Sequence, residues 1–187
     1  MYTVTPIRLL TAEEFALLPS PEDGSQQELV NGVVVTMPPP SFYHGQVCSK
    51  IDRKLGAFID THRLGWIASN DSGVILGRDP ATVRGPDIAY WSRERMPAPP
   101  RTGYAEIAPD LVVEVMSPSD VFTQMLRKVR QYQRAGVREI WIVVPDDRSL
   151  AVCRGGREEL FLSNGETLTG SEVLPGFSCL IAELFPA

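Results

Sequence analysis

A glutamate inside an apolar run is the residue of this sequence that points most directly to chemistry. Glu114 lies in LVVEVM, where burial of a carboxylate costs several kcal/mol unless the group is paired or bound to a metal. Asp87 follows Pro86 at the start of the neighbouring strand-like run DIAYW. Two carboxylates on adjacent strands can converge on one hard cation such as Mg²⁺ or Mn²⁺. The sequence therefore predicts that Asp87 and Glu114 hold one divalent metal ion.

Each of these carboxylates also has an ordinary structural explanation. A buried arginine or lysine could pair with Glu114 without any metal. The Asp87 side chain could cap the turn that follows Gly85 and Pro86. Taken alone, Asp87 fits the turn better than a metal site, so the pairing of the two carboxylates is what favours metal binding.

The segment after Glu114 places one basic residue on the inner side of a helix. At about 100° per residue, Lys128 falls at the edge of an apolar arc. The arc consists of Val121, Met125, Val129 and Tyr132, and the opposite side carries Arg127, Arg130 and Arg134. An ammonium directed at the sheet could stabilise charge developing on a phosphate or orient a water. The alternative is a lysine whose stem covers the core while its ammonium reaches solvent.

These residues need a sheet and a helix to position them. Strands are predicted from short apolar runs separated by Gly, Pro and Asp: GWIAS, GVILG, DIAYW, LVVEVM and EIWIVVP. The last two runs are almost continuously apolar, which is typical of strands buried on both faces. Between them, SPSDVFTQMLRKVRQYQRAGV predicts a helix capped by Ser119 or Asp120 and stopped at Gly136. This crossover predicts that the two flanking strands are parallel.

The rest of the chain carries clear local signals. Thr11 is the expected N-cap of a short helix, and Asn31-Gly32 between two β-rich runs predicts a hairpin. Ser41 stands where an N-cap belongs, ahead of an amphipathic helix that runs to about residue 62. The tail from Ser149 predicts a further hairpin.

Length and composition limit the possible classes of protein. The 187 residues predict a single domain, 1–187, and 43% hydrophobic with 22% charged residues is typical of a globular chain. A net charge of −5 argues against a strongly basic nucleic-acid binder, although a local strip of Lys and Arg can still meet phosphates. Three widely spaced cysteines suggest neither a disulfide framework nor a zinc site.

Location and assembly are also addressed by the sequence. The first residues show no positively charged lead before an apolar stretch, and no apolar run approaches the ~18 residues of a membrane helix. We therefore expect a cytoplasmic protein without a membrane partner. A helix closing one side of the sheet and an apolar C-terminal tail are compatible with a homodimer.

The motifs together resemble a known family. Pro86-Asp87, VVEV around Glu114 and Lys128 look like the PD-(D/E)XK nuclease core. More closely, the chain resembles the Uma-type restriction endonuclease family over nearly its whole length. The matching stretches are QELVNGVVVTMPPPSFYH, GPDIAYW, PDLVVEVMSPSD, KVRQYQRAGVREIWIVVP and LPGF.

The resemblance implies a fold and a site. The implied fold is α/β (α+β): a restriction-endonuclease-like mixed β-sheet flanked by helices, with N-terminal and C-terminal β-hairpin additions. Metal coordination by Asp87 and Glu114 and a catalytic Lys128 follow from it. It also implies roles in or next to the metal shell for Glu28, on the first hairpin strand, and for His44, a minor candidate because histidines are common at helix ends.

One departure from the nuclease motif keeps two functions open. The motif places a lysine two residues after the acid, where this chain has Met116, so Lys128 must supply the lysine from the helix. The leading interpretation is a Mg²⁺-dependent DNA endonuclease that uses water as the nucleophile. The alternative is a catalytically inactive nuclease-fold module for binding or assembly, which the acidic composition and Met116 favour.

Overall fold

The computed structural model describes residues 8–118, 120–155, 158–169 and 171–186. The helices are α1 (Ala12–Ala16), α2 (Phe42–His62) and α3 (Phe122–Arg134), followed by a 3₁₀-helix (Ile181–Leu184). The strands are β1 (Gln26–Val30), β2 (Val33–Met37), β3 (Gly65–Ser69), β4 (Val74–Arg78), β5 (Ala81–Arg84), β6 (Ile88–Ser92), β7 (Leu111–Val115), β8 (Glu139–Val144), β9 (Ser149–Arg154), β10 (Glu158–Leu162), β11 (Thr167–Leu168) and β12 (Cys179–Leu180).

A six-stranded mixed sheet forms the centre of the fold, in the order β10-β9-β8-β7-β6-β3. Strands β7 and β8 are parallel, as the crossover predicts, and the other neighbouring pairs are antiparallel. Every residue of β7 is buried. The near-continuous apolar run therefore reflects cover on both faces of this strand.

The two long helices lie on opposite faces of the central sheet. The buried apolar side chains of α2 belong to one cluster with Val113 and Val115 of β7. The inner side chains of α3, Val129 and Tyr132, pack with Val112 of the same strand. Because side chains alternate along a strand, Glu114 shares the α3 face of β7 with Val112. The mixed sheet flanked by helices is confirmed.

The helix boundaries follow local capping chemistry, with one correction. Ser41 caps α2 by accepting a hydrogen bond from the His44 backbone N–H at 3.1 Å. Helix α3 has Val121 as its N-cap, with no side-chain cap among the described residues. The prediction of Asp120 as the cap is wrong, because its carboxylate accepts from the Ser117 backbone N–H at 2.7 Å instead. The alternative cap, Ser119, lies outside the described residues.

A second sheet joins the N-terminal hairpin to the middle of the chain. Its order is β2-β1-β5-β4, and the turn at Asn31 and Gly32 has φ of 51° and 77°. The hairpin is confirmed. Strand β5 escaped sequence analysis because its four residues, ATVR, mix polar and apolar side chains, yet all four are buried. After Arg84, the chain leads from this sheet into β6 of the central sheet.

The C-terminal hairpin of β9 and β10 extends the central sheet at its far edge. Within the described ranges, no helix combines the length and apolar character required to cross a membrane.

Candidate active site

Asp87 lies where the chain passes from the second sheet into the central sheet. Strands β6 and β7 pair with Ile88 opposite Val113, so in backbone register Asp87 lies next to Glu114. The Asp87 Oδ2 atom accepts a hydrogen bond from the Val115 backbone N–H at 2.7 Å. The structure therefore brings the two predicted carboxylates to neighbouring positions at one end of the sheet.

Glu114 is buried and fully engaged by two donors from α3. Its Oε2 accepts from the Lys128 ammonium at 2.7 Å, and its Oε1 accepts from the Tyr132 hydroxyl at 2.5 Å. Burial raises the pKa of Glu114 to about 7; Lys128 opposes this rise, whereas the charge of Asp87 adds to it. A buried basic residue that pairs with Glu114 was the alternative to metal binding, and Lys128 is that residue.

Lys128 projects toward the sheet, as the helical phase predicts. Only 15% of its side chain is exposed, and its Nζ lies 3.3 Å from Glu28 Oε1 in addition to its bond to Glu114. Burial lowers the pKa of Lys128, but the charges of Glu114 and Glu28 outweigh burial and raise that pKa above its usual value. The ammonium is therefore held charged between two carboxylates.

Glu28 reaches the same point from the second sheet. Its carboxylate accepts hydrogen bonds from the Arg84 guanidinium and, at 3.1 Å, from the Gly85 backbone N–H. Arg84 Nε in turn donates to Gln131 Oε1 on α3 at 2.9 Å. This buried network ties β1, β5 and α3 together around Lys128.

His44 is brought against Asp87. Its Nε2 lies 3.0 Å from the Val115 carbonyl oxygen and 3.3 Å from Asp87 Oδ1. The hydrogen bond with Asp87 raises the pKa of His44, although burial opposes the rise. On the other side of the ring, Nδ1 lies 3.5 Å from Cys48 Sγ. His44, a minor candidate in the sequence, therefore lies directly beside Asp87, a predicted metal ligand.

Two residues of this site, Asp71 and Cys48, were not predicted from the sequence. Asp71, in the loop between β3 and β4, lines a cleft of about 320 Å³ together with His44, Cys48 and Asp87. Burial and the charge of Asp87 raise the pKa of Asp71 to about 6. Neither Asp71 nor Cys48 belongs to a motif. The spacing of Cys48 four residues after His44 was the one available signal, because it places both on the same helix face.

The site contains ligand atoms that could hold a metal. Within the described part of the chain, one atom each from His44, Cys48 and Asp87 lies within 4.8 Å of the other two. Burial, with a further contribution from Asp87, raises the pKa of the Cys48 thiol above its usual range. The cleft thus offers one nitrogen, one sulfur and several carboxylate oxygens.

The pKa of His44 leads to a pH-dependent stability. A histidine whose pKa is raised by folding contributes stability below its unfolded pKa of ~6.5, and loses it as the pH rises through the folded value. We compare the free energy of unfolding of wild type with that of His44→Gln. We expect the advantage of wild type to be about 1 kcal/mol larger at acidic pH than at alkaline pH. Urea melts in EDTA across this range measure the difference.

His62→Gln is the matched control, because His62 lies exposed near the end of the same helix. Its difference from wild type should stay nearly constant over the range in which the His44→Gln difference changes. Parallel curves for both variants would show that Asp87 does not stabilise a charged His44.

Glu114→Gln tests the raised pKa of Glu114. The folded pKa of about 7 lies above the ordinary value of 4.5 for a glutamate, so wild type loses stability as the unfolded carboxyl ionises first with rising pH. Glutamine cannot ionise. Between about pH 5 and pH 8, the stability difference should move in favour of the variant by about 2 kcal/mol.

Urea melts of the two proteins in EDTA measure this change, with Glu166→Gln, an exposed carboxyl whose side chain caps the turn at Ser163, as the control. A constant difference would mean that Lys128 and Tyr132 keep the pKa of Glu114 near its ordinary value.

Comparisons with known proteins concern the family and the fold of the chain. The model of the family Uma2, described as "Putative restriction endonuclease", matches residues 12–182. Among solved structures, the chain is similar to one titled "a putative nuclease belonging to DUF820" from Anabaena variabilis ATCC 29413, with a TM-score of 0.80 and 21% identity, over 94% of this chain and 97% of that chain. At this identity the likeness shows the fold alone. No curated protein matches the chain. Because the family match spans most of the sequence, the chain belongs to the Uma2 family of restriction-endonuclease-like proteins.

Proposed function

We propose that this protein is a Mg²⁺- or Mn²⁺-dependent DNA endonuclease in which Asp87 and Glu114 hold the metal ion and Lys128 assists hydrolysis. The observation that carries the proposal is the meeting of Glu114 and Glu28 around one buried ammonium, with Asp87 next to Glu114 in backbone register and on the lining of the cleft. Membership of the Uma2 family supports a nuclease. DNA is the proposed substrate because restriction endonucleases act on it.

The donor set fits a hard divalent cation. Asp87 and Asp71 offer carboxylate oxygens to the cleft, and Glu114 lies next to Asp87 in register. Burial and repulsion from the charge of Asp87 raise the pKa values of Asp71 and Glu114, so the surroundings do not fully stabilise their negative charges. A cation bound by oxygen ligands would relieve this cost.

Each residue has a distinct role in the proposed reaction. A bound divalent cation supplies positive charge that polarises a phosphodiester and makes water a better nucleophile. The Val115 backbone N–H fixes one oxygen of Asp87 and so orients that carboxylate. The Lys128 side chain is 15% exposed, and its ammonium could neutralise charge that develops on the phosphate oxygens. Glu28 and Tyr132 hold Lys128 and Glu114 in place.

One observation favours a second candidate function. Lys128 and Tyr132 together engage both oxygens of Glu114, so this carboxylate is paired without a metal. A nuclease-fold module for binding or assembly could keep such a network for stability alone. The two candidates differ in whether the site binds a divalent cation and in whether that cation supports cleavage.

Calorimetric titration with Mn²⁺ decides between the candidates. Wild type should bind one ion per chain, and Asp87→Ala should weaken binding by at least about 100-fold, since loss of an outer-shell group alone costs up to that much. Asp60→Asn, an exposed carboxylate on α2, is the matched control and should bind as wild type does.

The same proteins are then assayed for nicking of supercoiled plasmid. Nicking that requires Mn²⁺ and disappears in Asp87→Ala supports the endonuclease. If wild type neither binds Mn²⁺ nor nicks DNA under any divalent metal, the binding or assembly module is the better description.

A further inference from the structure

The cluster of His44, Cys48 and Asp87 has a different chemical character from the carboxylate site. His44 and Cys48 lie four residues apart on α2, so their side chains share one face of the helix. Asp87 approaches them from the start of β6. Mg²⁺ prefers oxygen ligands, whereas thiolate sulfur and imidazole nitrogen are typical ligands of Zn²⁺.

The tautomer of His44 is set by its backbone neighbour. The Val115 carbonyl oxygen can only accept, and it lies 3.0 Å from Nε2, so Nε2 carries a proton. In the neutral ring, the lone pair of Nδ1 is then left facing Cys48 Sγ. A histidine oriented through its second nitrogen by a carbonyl group is the usual arrangement of a zinc ligand.

The spacing of the ligand atoms suits a tetrahedral ion. Zinc bonds of ~2.0 Å to nitrogen and ~2.3 Å to sulfur place the two ligand atoms about 3.5 Å apart at a tetrahedral angle. His44 Nδ1 and Cys48 Sγ are 3.5 Å apart. One ligand atom each from His44, Cys48 and Asp87 lies within 4.8 Å of the other two. Because Asp87 Oδ1 lies 3.3 Å from Nε2, its carboxylate must turn toward Nδ1 and Sγ to complete a set of three ligands.

The cluster is also accessible and has room for a fourth ligand. His44, Cys48 and Asp87 all line the cleft of about 320 Å³, and Asp71 lies on the same lining. An ion can therefore enter from solvent, with Asp71 or a water completing four-fold coordination. The thiol proton leaves to solvent when the bond between Sγ and the metal forms.

We propose that His44, Cys48 and Asp87 form a zinc site that shares Asp87 with the proposed Mg²⁺ site. Zn²⁺ bound there would occupy the Asp87 carboxylate, which the proposed function needs for the catalytic ion. Zinc would therefore act as an inhibitor. This inhibition rests on the proposed function; the zinc site itself does not.

Cobalt spectroscopy tests the site without any nucleic acid. Under reducing conditions, Co²⁺ added to wild type should give a thiolate-to-cobalt charge-transfer band and the strong visible bands of four-fold coordination, saturating at one ion per chain. Zn²⁺ should abolish both. Cys48→Ser should lose the charge-transfer band and bind Zn²⁺ at least about 100-fold more weakly. Cys153→Ala is the matched control, because Cys153 packs in the apolar cluster on the α3 face of the sheet.

Two results would overturn the zinc site. One is a wild-type spectrum with only the weak bands of hydrated cobalt. This measurement uses the wild-type protein alone, so it does not depend on whether a variant folds. The other is a charge-transfer band that survives in Cys48→Ser or disappears in folded Cys153→Ala. Plasmid nicking with and without Zn²⁺ then tests the inhibition separately, so a protein that binds zinc but never nicks DNA contradicts the proposed function and leaves the zinc site standing.

Discussion

Lys128→Ala is expected to slow Mn²⁺-dependent nicking of supercoiled plasmid by about 30-fold to 1000-fold, because it removes an electrostatic stabiliser worth roughly 2 to 4 kcal/mol in the transition state. The Lys128 ammonium is the cationic group bonded to Glu114, the residue next to Asp87 in register. Metal binding should change little, since carboxylates hold the ion. Single-turnover nicking with saturating Mn²⁺ measures the chemical step apart from metal affinity.

Arg127→Ala is the matched control for this experiment. Arg127 precedes Lys128 on α3, but its side chain is exposed, so its loss should leave the rate nearly unchanged. Circular dichroism and a urea melt must show that Lys128→Ala is folded, because Lys128 also pairs with Glu28. Equal rates for wild type and both variants would mean that Lys128 takes no part in catalysis.

Arg84→Met is expected to lower the free energy of unfolding by about 3 to 5 kcal/mol, although it keeps most of the side-chain volume. Arg84 and Glu28 form an ion pair in which 10% and 3% of the side chains are exposed. Removing the guanidinium leaves a buried carboxylate with Lys128 as its remaining cationic partner in the described structure. It also removes the bonds to Gln131 that tie β5 to α3. Urea denaturation at neutral pH measures the loss.

Two further variants separate burial from simple charge removal. Arg78→Met breaks exposed pairs with Glu13 and Glu106, and should cost less than about 1 kcal/mol. Combining Arg84→Met with Glu28→Gln should recover part of the stability, because the uncompensated charge is then gone. A loss for Arg84→Met no larger than that for Arg78→Met would contradict the structural role of the buried pair.

The site was partly predictable because some of its geometry is local. Glu114 stands out within five buried residues of β7, and helical periodicity places Lys128 on the inner side of α3. The crossover between β7 and β8 then brings that helix over the strand, since such connections have one preferred hand. These inferences need only patterns within a few tens of residues. The catalytic roles of Asp87, Glu114 and Lys128 remain predictions.

Other parts of the site depend on contacts between distant parts of the chain. His44 meets the Val115 carbonyl across 71 positions, and Glu28 meets Arg84 across 56. Family resemblance predicted a role near the metal for Glu28, but its bonds to Arg84 and Gly85 depend on the pairing of β1 with β5. Tyr132, counted only as part of an apolar arc, proves to be a hydrogen-bond donor to Glu114.

The sequence by itself determined four features of the fold: the hairpin at Asn31 and Gly32, the start of α2 at Ser41, the buried strand around Glu114 and the inner side of α3. These features depend on local properties: backbone φ preferences, capping bonds and the period of apolar residues. Such properties can be predicted from a short stretch of sequence. Only the tertiary structure decided which polar groups meet. The charge partner of a buried residue depends on the packing of whole elements, and isolated polar residues such as Arg84 and Asp71 carry no periodic signal that would reveal it.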